Sequence, residues 1–291
     1  MSGIYEKIYV IGQGVPALAC MKLVKDRGLP GGFLDTGGPM DGFSRKAAAG
    51  CGIAPERVSR DDLPYLFNET QRILVLSASN TIIFPKKIVE MENLRILNYH
   101  NSLLPAHRGM HAEAWAIFAG DPLAGISWHV VDSGIDTGPL VVQKSLPVGE
   151  LTSLELLRRQ CALAVAALSE YLPAILRGDA PLIPQAPCTT PPHKRAERPN
   201  AGVLDLAWPA KKIWNFLRAF DYGGLRTLGS PRCRIKGIWH AWEGYAPLGE
   251  TAAGPDDWPI RSAGAVLKNI FPLRAADAGG YDAKSGFCQS L

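Results

Sequence analysis

The stretch "ILNYHNSLLPAHRG", residues 96–109, carries an apolar run into an Asn, a His and a second Asn before a Pro and a Gly break the chain. With the two residues before it, the run has the pattern of a short buried β-strand. Two amide side chains flanking an imidazole are poor core material, because a buried polar group needs a hydrogen-bond partner. Open α/β sheets bind ligands beyond the carboxyl ends of their strands. The end of this strand therefore predicts a functional site.

Hydrophobic patterns on both sides of this stretch predict the fold. "KIYVIGQG" (7–14) is a β-branched apolar run that stops at glycines, and "VPALACMKLVKDRG" (15–28) then has helical spacing. More strand-like and helix-like segments follow: "RILVLSAS" (72–79), "LRILNYH" (94–100), the helix-like "HAEAWAIFAGD" (111–121), "AGISWHVVD" (124–132) and "GPLVVQKSLPV" (138–148). The sequence predicts an α/β fold with a Rossmann-like, mostly parallel sheet.

The chain is expected to divide at a proline-rich segment. Before it, residues 151–179 have the pattern of a long amphipathic helix that opens with a capping box from Thr152 to Glu155. After it, Pro209 stands where a first helical turn would begin, and short strand-like runs follow. We expect a first domain at 1–180, a linker at 181–200, a small β-rich C-terminal domain at 201–275 and a loose tail at 276–291.

Composition limits the classes of protein to consider. The 291 residues are 47% hydrophobic and 20% charged, which is enough apolar material for a core of ordinary size. Six cysteines without a C-x-x-C pair argue against a disulfide framework and against a zinc ribbon. Neither a leader pattern nor an uncharged apolar stretch of about 18 residues occurs. We therefore expect a cytoplasmic protein with no membrane partner, and the net charge of +4 does not by itself indicate a nucleic-acid partner.

Three polar side chains form the candidate catalytic set. Asn98 and His100 are two positions apart, so in a strand they point to the same face. Asp136 lies in the loop "SGIDTG", where Gly134 and Gly138 allow a sharp turn. An amide donor, an imidazole and a carboxylate suit acyl transfer, because the first two can stabilise a developing oxyanion and the carboxylate can relay a proton.

The segments "NYHNSLLPAHRG" and "GISWHVVDSGIDTGPLVVQ" resemble the folate-dependent formyltransferases, a family that includes methionyl-tRNA formyltransferases and sugar and amino-acid N-formyltransferases. The shared pattern is N-x-H-x-S-L-L-P, followed by an Asp in a D-x-G loop. The resemblance implies that residues 1–180 are the catalytic domain and that Asn98, His100 and Asp136 are catalytic. It also implies N10-formyl-tetrahydrofolate as the formyl donor.

The same resemblance assigns binding residues. In that family the pterin ring of the donor rests against main chain before the Asn-His motif and in the Asp loop. The corresponding cofactor-binding residues of this sequence are Ile82, Ile83, Phe84, Pro85, Val131, Asp132, Gly134 and Gly138. Candidate contacts with the acceptor substrate are Ser102, His107, Arg108 and His129. No metal ion is expected.

The acceptor is expected to be a small-molecule amine or hydroxylamine, such as an amino sugar nucleotide, hydroxyornithine or a carrier-bound amino acid. Residues 194–240 hold ten Lys or Arg against three acids, which suits a phosphorylated acceptor and equally fits a solvated helix face. Formylation of methionyl-tRNA is less favoured, because "DTGGPMDGFSRKAAAG" (35–50) stands where the tRNA enzymes carry a basic loop. An exposed face of the β-rich domain would suit a homodimer.

Other functions remain open at this point. "IGQGVPA" (11–17) matches the dinucleotide fingerprint of a nicotinamide-dependent oxidoreductase, although the expected acidic residue is met only weakly, by Asp35. A formyl-tetrahydrofolate hydrolase would share the Asn, the His and the Asp. His107 and His111 are spaced like a zinc pair on a helix, but the Glu of H-E-x-x-H is missing between them.

Overall fold

A computed structural model describes residues 4–37, 42–67, 70–225, 227–249 and 254–274. The predicted loose tail, residues 276–291, lies outside this part of the chain. Within it, none of the helices is both long and apolar enough to cross a membrane. The five cysteines within the described residues form no disulfide: Cys20, Cys51, Cys161, Cys188 and Cys233.

The described residues contain a seven-stranded sheet in the order β3-β2-β1-β4-β5-β6-β7. Its strands are β1 (Lys7–Gly12), β2 (Gly31–Asp35), β3 (Pro55–Arg57), β4 (Ile73–Ala78), β5 (Leu94–His100), β6 (Leu123–Val130) and β7 (Leu140–Pro147). The first five strands are parallel, whereas β6 runs antiparallel to β5 and β7 runs antiparallel to β6. The predicted mostly parallel sheet is confirmed.

Helices cover both faces of the sheet. They are α1 (Gly14–Asp26), α2 (Gly42–Gly50), α3 (Leu63–Leu66), α4 (Lys86–Val89), α5 (Ala112–Ala119) and α6 (Ser153–Arg177). Alternate residues of a strand point to opposite faces, so Ile8 and Val10 pack with α1 and α6, while Tyr9 and Ile11 pack with α3 and α4. Both faces are therefore buried, as the apolar runs of the central strands require.

The long helix α6 begins and ends as its sequence predicts. The Glu155 amide donates to Thr152 Oγ1 at 3.3 Å, and the Thr152 amide donates to Glu155 Oε2 at 2.9 Å, which completes the capping box. Gly178 adopts a left-handed φ of 79° at the other end, and this stops the helix.

Residues 203–272 form a smaller β-rich region. Its elements are β8 (Val203–Leu204), α7 (Ala210–Ala219), β9 (Arg232–Ile235), β10 (Ile238–Ala241), β11 (Gly244–Pro247), β12 (Trp258–Ile260), β13 (Ala265–Lys268) and β14 (Phe271–Pro272). The strands of this region make a sheet in the order β14-β10-β9-β8 and another in the order β11-β13-β12. One face of α7 is buried through Ile213, Phe216 and Leu217. Helix α7 packs against α5. The domain boundaries expected from the sequence stay a prediction.

The proline-rich segment, residues 181–199, is named the strap. Near its start, the amide and carbonyl of Ile183 exchange hydrogen bonds of 2.9 and 2.7 Å with Leu140 of β7. Near its end, the His193 amide donates to the Arg108 carbonyl at 2.8 Å, and the His193 carbonyl accepts from Met110 at 2.9 Å. The strap is thus paired with two separate segments of the first 180 residues.

Candidate active site

Four polar side chains meet at the carboxyl end of β5. Asn98 lies opposite His129 of β6, so the two side chains share a face, and Asn98 Nδ2 is 3.2 Å from His129 Nε2. Asp136 lies between two imidazoles: Oδ2 is 3.5 Å from His100 Nδ1, and Oδ1 is 3.4 Å from His129 Nε2. The structure thus brings together the three predicted catalytic residues and His129, while their roles stay a prediction.

The loop between β6 and β7 carries Asp136 back over this face. Because β6 runs antiparallel to β5, their carboxyl ends do not coincide, and the loop has to return towards His100. Asp132 stabilises the loop by accepting from the Gly134 amide at 3.0 Å and from the Thr137 hydroxyl at 2.6 Å. A Cβ on Gly138 would lie 1.9 Å from the Val130 carbonyl oxygen, so this glycine is required by the turn itself.

Asp136 is held as a carboxylate. Its side chain is 13% exposed, and Oδ2 accepts from the Gly109 amide at 2.8 Å. Burial alone would raise the pKa of the Asp136 carboxyl, but the His100 and His129 rings and the Gly109 N–H outweigh it, so this pKa lies well below its usual range. A negative charge therefore faces both imidazoles at neutral pH.

The hydrogen bonds of His100 identify the ring nitrogen that can exchange a proton. Nε2 is 2.9 Å from the His107 carbonyl oxygen, which only accepts, so Nε2 carries a hydrogen. Nδ1 faces Asp136 and is the position at which a proton can be added or removed. The ring is buried at 5% exposure, which keeps bulk water from competing for that proton.

Ser77, which was not predicted, orients Asn98. Its hydroxyl donates to Asn98 Oδ1 at 2.8 Å, so the amide NH2 group is turned towards His129. Ser77 lies on β4 directly opposite Asn98 and is buried. The one signal in the sequence was a single polar residue within "ILVLSA", the apolar run that forms β4.

Some of the predicted cofactor-binding residues pack against one core cluster, and others do not. Ile82, Phe84 and Val131 pack against the same core cluster, whereas Ile83 is 67% exposed. The main chain of Ile82 is bonded at both its amide and its carbonyl to the Asn80 side chain, at 2.9 Å each. The Pro85 carbonyl accepts the first amide bonds of α4. These contacts give the segment a fixed apolar edge, and its role in binding stays a prediction.

Three of the predicted acceptor contacts bond to the chain itself. The Ser102 hydroxyl donates to the Ala106 carbonyl at 2.6 Å and is buried. His107 Nε2 is 2.8 Å from Asp121 Oδ2, and Arg108 Nη2 donates to the Thr190 carbonyl at 2.6 Å. These residues fix the 102–110 segment, and any contact with the acceptor stays a prediction.

His107 and His111 do not lie on one helix, because α5 begins at Ala112 and both residues precede it with positive φ. In the described ranges, no group of three or more His, Cys, Asp or Glu is arranged to hold a metal ion.

The glycine turn after β1 has a packing role. A Cβ on Gly12 would lie 1.8 Å from the Ala78 carbonyl oxygen on β4. Asp35, the weak counterpart of the acidic residue of a dinucleotide site, accepts from the Gly37 amide at 3.0 Å and lies 3.6 Å from Arg57 Nη1. Gly12 and Asp35, which belong to the dinucleotide-like pattern, therefore already contact other residues of the protein.

Comparisons with known proteins relate part of the chain to a known family. Residues 35–171 match the family model described as formyl transferase. A methionyl-tRNA formyltransferase of Myxococcus xanthus is 33% identical over 209 residues, which are 67% of this chain and 65% of that protein. A GDP-perosamine N-formyltransferase of Brucella melitensis is 31% identical over 150 residues, 51% of this chain and 57% of that protein. The chain thus spans about half to two thirds of the length of the curated relatives it matches.

A solved structure shares the fold. The N-formyltransferase of Helicobacter canadensis, in complex with folinic acid and dTDP-3-aminofucose, superposes with a TM-score of 0.64 at 15% identity. The match covers 91% of this chain and 99% of the other. With this sheet, and with the sequence match over residues 35–171, the chain carries a domain of the formyl transferase family.

Proposed function

We propose that this chain is an N-formyltransferase that moves a formyl group from N10-formyl-tetrahydrofolate to an amine. The observation that carries the proposal is the convergence of Asn98, His100 and Asp136, within 3.5 Å of one another or of His129, in a formyl transferase domain. An amide donor, an imidazole and an ionised carboxylate are the groups that acyl transfer to an amine requires.

The residues present fit a folate donor. Ile82, Phe84 and Val131 make an apolar edge on one core cluster, which suits a flat aromatic ring. The Helicobacter canadensis relative binds folinic acid, a formylated folate, which supports the same class of ligand here. When bound, N10-formyl-tetrahydrofolate supplies the carbonyl carbon that is transferred.

Each catalytic side chain has a separate task in this proposal. Asn98 Nδ2 carries two hydrogens and lies 3.2 Å from His129 Nε2, where it can donate to a carbonyl oxygen that gains negative charge. As the amine nitrogen bonds to the formyl carbon, its proton would pass to the Asp136–His100 pair, where His100 Nδ1 holds it beside the carboxylate. The same proton would then return to the donor nitrogen as the bond between that nitrogen and the formyl carbon breaks. Each contribution is typically worth about 10²-fold or more in rate.

A small-molecule amine or hydroxylamine is the acceptor class we favour, with an amino sugar nucleotide, hydroxyornithine or a carrier-bound amino acid as candidates. The GDP-perosamine N-formyltransferase relative supports an amino sugar nucleotide. The basic stretch of residues 194–240 gives weaker support than its sequence suggested, because Arg218 is buried and donates to the Gly149 carbonyl at 2.6 Å. Arg226, in the same stretch, lies outside the described residues.

Methionyl-tRNA is the second candidate acceptor, favoured by the Myxococcus xanthus relative. The segment 35–50, which differs from the basic loop of tRNA enzymes, includes residues 38–41 that lie outside the described ranges. The segment therefore does not decide between the two acceptors.

The test is a product assay with the whole chain. Purified protein is incubated with N10-formyl-tetrahydrofolate and a panel of amino sugar nucleotides, hydroxylated amino acids, carrier-bound amino acids and methionyl-tRNA, and formylated products are detected by mass spectrometry. We expect a formylated amine with wild type and a loss of at least about 10²-fold in Asp136→Asn. Formate released without a formylated amine would instead indicate a hydrolase, and equal product from Asp136→Asn would contradict the mechanism.

A further inference from the structure

The strap touches the candidate active site through Gln185. Its Nε2 donates to two carbonyl oxygens of the Asp136 loop, that of Asp136 at 3.0 Å and that of Gly138 at 2.7 Å. Both hydrogens of one amide are thus used on the carbonyls of the two residues that flank Thr137. The sequence predicted this segment as a linker, and a linker has no need of such bonds.

The loop that Gln185 contacts has an unfavourable backbone conformation. Asp136 adopts a left-handed φ of 54°, which is unfavourable for a residue with a Cβ. Such a conformation persists only where the surrounding structure determines it. Gln185 supplies two bonds to the loop, and the paired Ile183 and Leu140 fix the strap in register just beyond it.

The other end of the strap holds the opposing loop. The main chain of His193 brackets Gly109, and a Cβ on Gly109 would lie 2.3 Å from the His193 carbonyl oxygen. The Gly109 amide in turn donates to Asp136 Oδ2 at 2.8 Å. The His193 ring stacks on Trp115 of α5 with centroids 4.2 Å apart and planes 5° apart, so this end is anchored to a helix.

We infer that the strap is a positioning element of the active site: Gln185 and the main chain of His193 clamp the Asp136 loop against Gly109, which sets the Asp136 carboxylate against His100. The inference rests on the proposed function, because it takes Asp136 as the partner of His100 in transfer. Gln185 touches no reacting atom and acts through Asp136.

The test compares two variants of Gln185 with one control. Gln185→Glu keeps the shape and removes the donors, and Gln185→Leu removes them without adding charge. Gln71→Leu makes the same change at an exposed position before β4 whose side chain has no part in the site. Since each lost hydrogen bond is worth about 1 kcal/mol, kcat should fall about tenfold or more in both Gln185 variants. The fall in kcat should exceed any rise in the KM for N10-formyl-tetrahydrofolate, which the predicted cofactor-binding Gly138 of the same loop could cause. Gln71→Leu should match wild type.

Amide hydrogen exchange gives a readout that does not depend on activity. In Gln185→Leu, exchange should become faster in peptides covering residues 106–110 and 131–140 and should stay unchanged in β1 and α1. Uniformly faster exchange, or an unchanged rate in both loops, would overturn the inference, as would an unchanged kcat. If wild type itself formylates no amine, the proposed function fails instead, and the exchange result still decides whether the strap holds the two loops.

Discussion

The glycine turn after β1 and the Asp136 loop are both built around two glycines, yet only the loop gathers side chains from other strands. Gly12 lies against the Ala78 carbonyl, as Gly138 lies against that of Val130. Asp136 goes further, because its carboxylate meets His100 and His129 from two strands. A pair of glycines in the sequence therefore indicates where the backbone approaches another segment closely. Polar side chains that converge from separate strands indicate where a reaction can take place.

The largest expected effect is a loss of turnover from substitutions in the Asp136 loop and in β5. Asn98→Ala and Asp136→Ala should each lower turnover by at least about 10²-fold, because each removes a group that stabilises charge in the transition state. Thermal melting of Asn98→Ala should change little, and turnover of Asp136→Ala is compared with wild type per folded molecule. Steady-state assays with N10-formyl-tetrahydrofolate and an accepted amine measure the effect, and near-normal turnover in either variant would contradict the assignment.

The reverse outcome is expected in the glycine turn. Gly12→Ala forces a Cβ to within 1.8 Å of a main-chain oxygen, and overpacking of this kind should lower the free energy of unfolding by about 2 kcal/mol or more. The folded fraction should keep normal kcat. Gly50→Ala is the matched control, because a Cβ there meets no atom within 4 Å, and it should not lower the melting temperature.

A titration of wild type with a reduced nicotinamide cofactor completes this comparison. No binding is expected, since the turn is occupied by its own packing and Asp35 is engaged by Gly37. Micromolar binding, measured by fluorescence, would show that the turn binds a ligand and would favour the hypothesis of a nicotinamide-dependent oxidoreductase.

Local patterns in the sequence predicted the candidate catalytic residues, which the structure brings together, but not the residues that orient them. Asn98 and His100 follow from the two-residue period of a strand, and Asp136 from the resemblance of its loop. Ser77 and Gln185 act on other residues across 21 and 49 positions. Such contacts depend on which strands become neighbours and where the strap returns, and neither leaves a periodic signal. The fold was predictable because its apolar runs recur with strand and helix periods.

A smaller effect is expected from the support of Asn98. Ser77→Ala removes the hydroxyl that holds the amide in one orientation, at a cost of about 1 kcal/mol, so turnover should fall about tenfold or less. Ser169→Ala on α6 is the control, because its hydroxyl accepts only from the exposed Arg27. A loss in Ser77→Ala as large as that of Asn98→Ala would mean that the orientation, and not the amide itself, limits the rate.

The smallest effect is the pH dependence of stability that Asp136 contributes. The pKa of its carboxyl is lowered in the folded protein, by His100 and His129 against the opposing effect of burial, so folding favours the ionised form. This stabilisation is fully present above the unfolded pKa, near 3.8, and is lost as the pH falls towards the folded pKa. The melting-temperature advantage of wild type over Asp136→Asn should therefore shrink between about pH 5 and pH 3, with a slope of at most about 1.4 kcal/mol per pH unit. A constant melting-temperature difference across this range would mean that the two imidazoles do not stabilise the Asp136 carboxylate. The Asp136 loop would then resemble the glycine turn, whose role is in backbone packing and not in electrostatics.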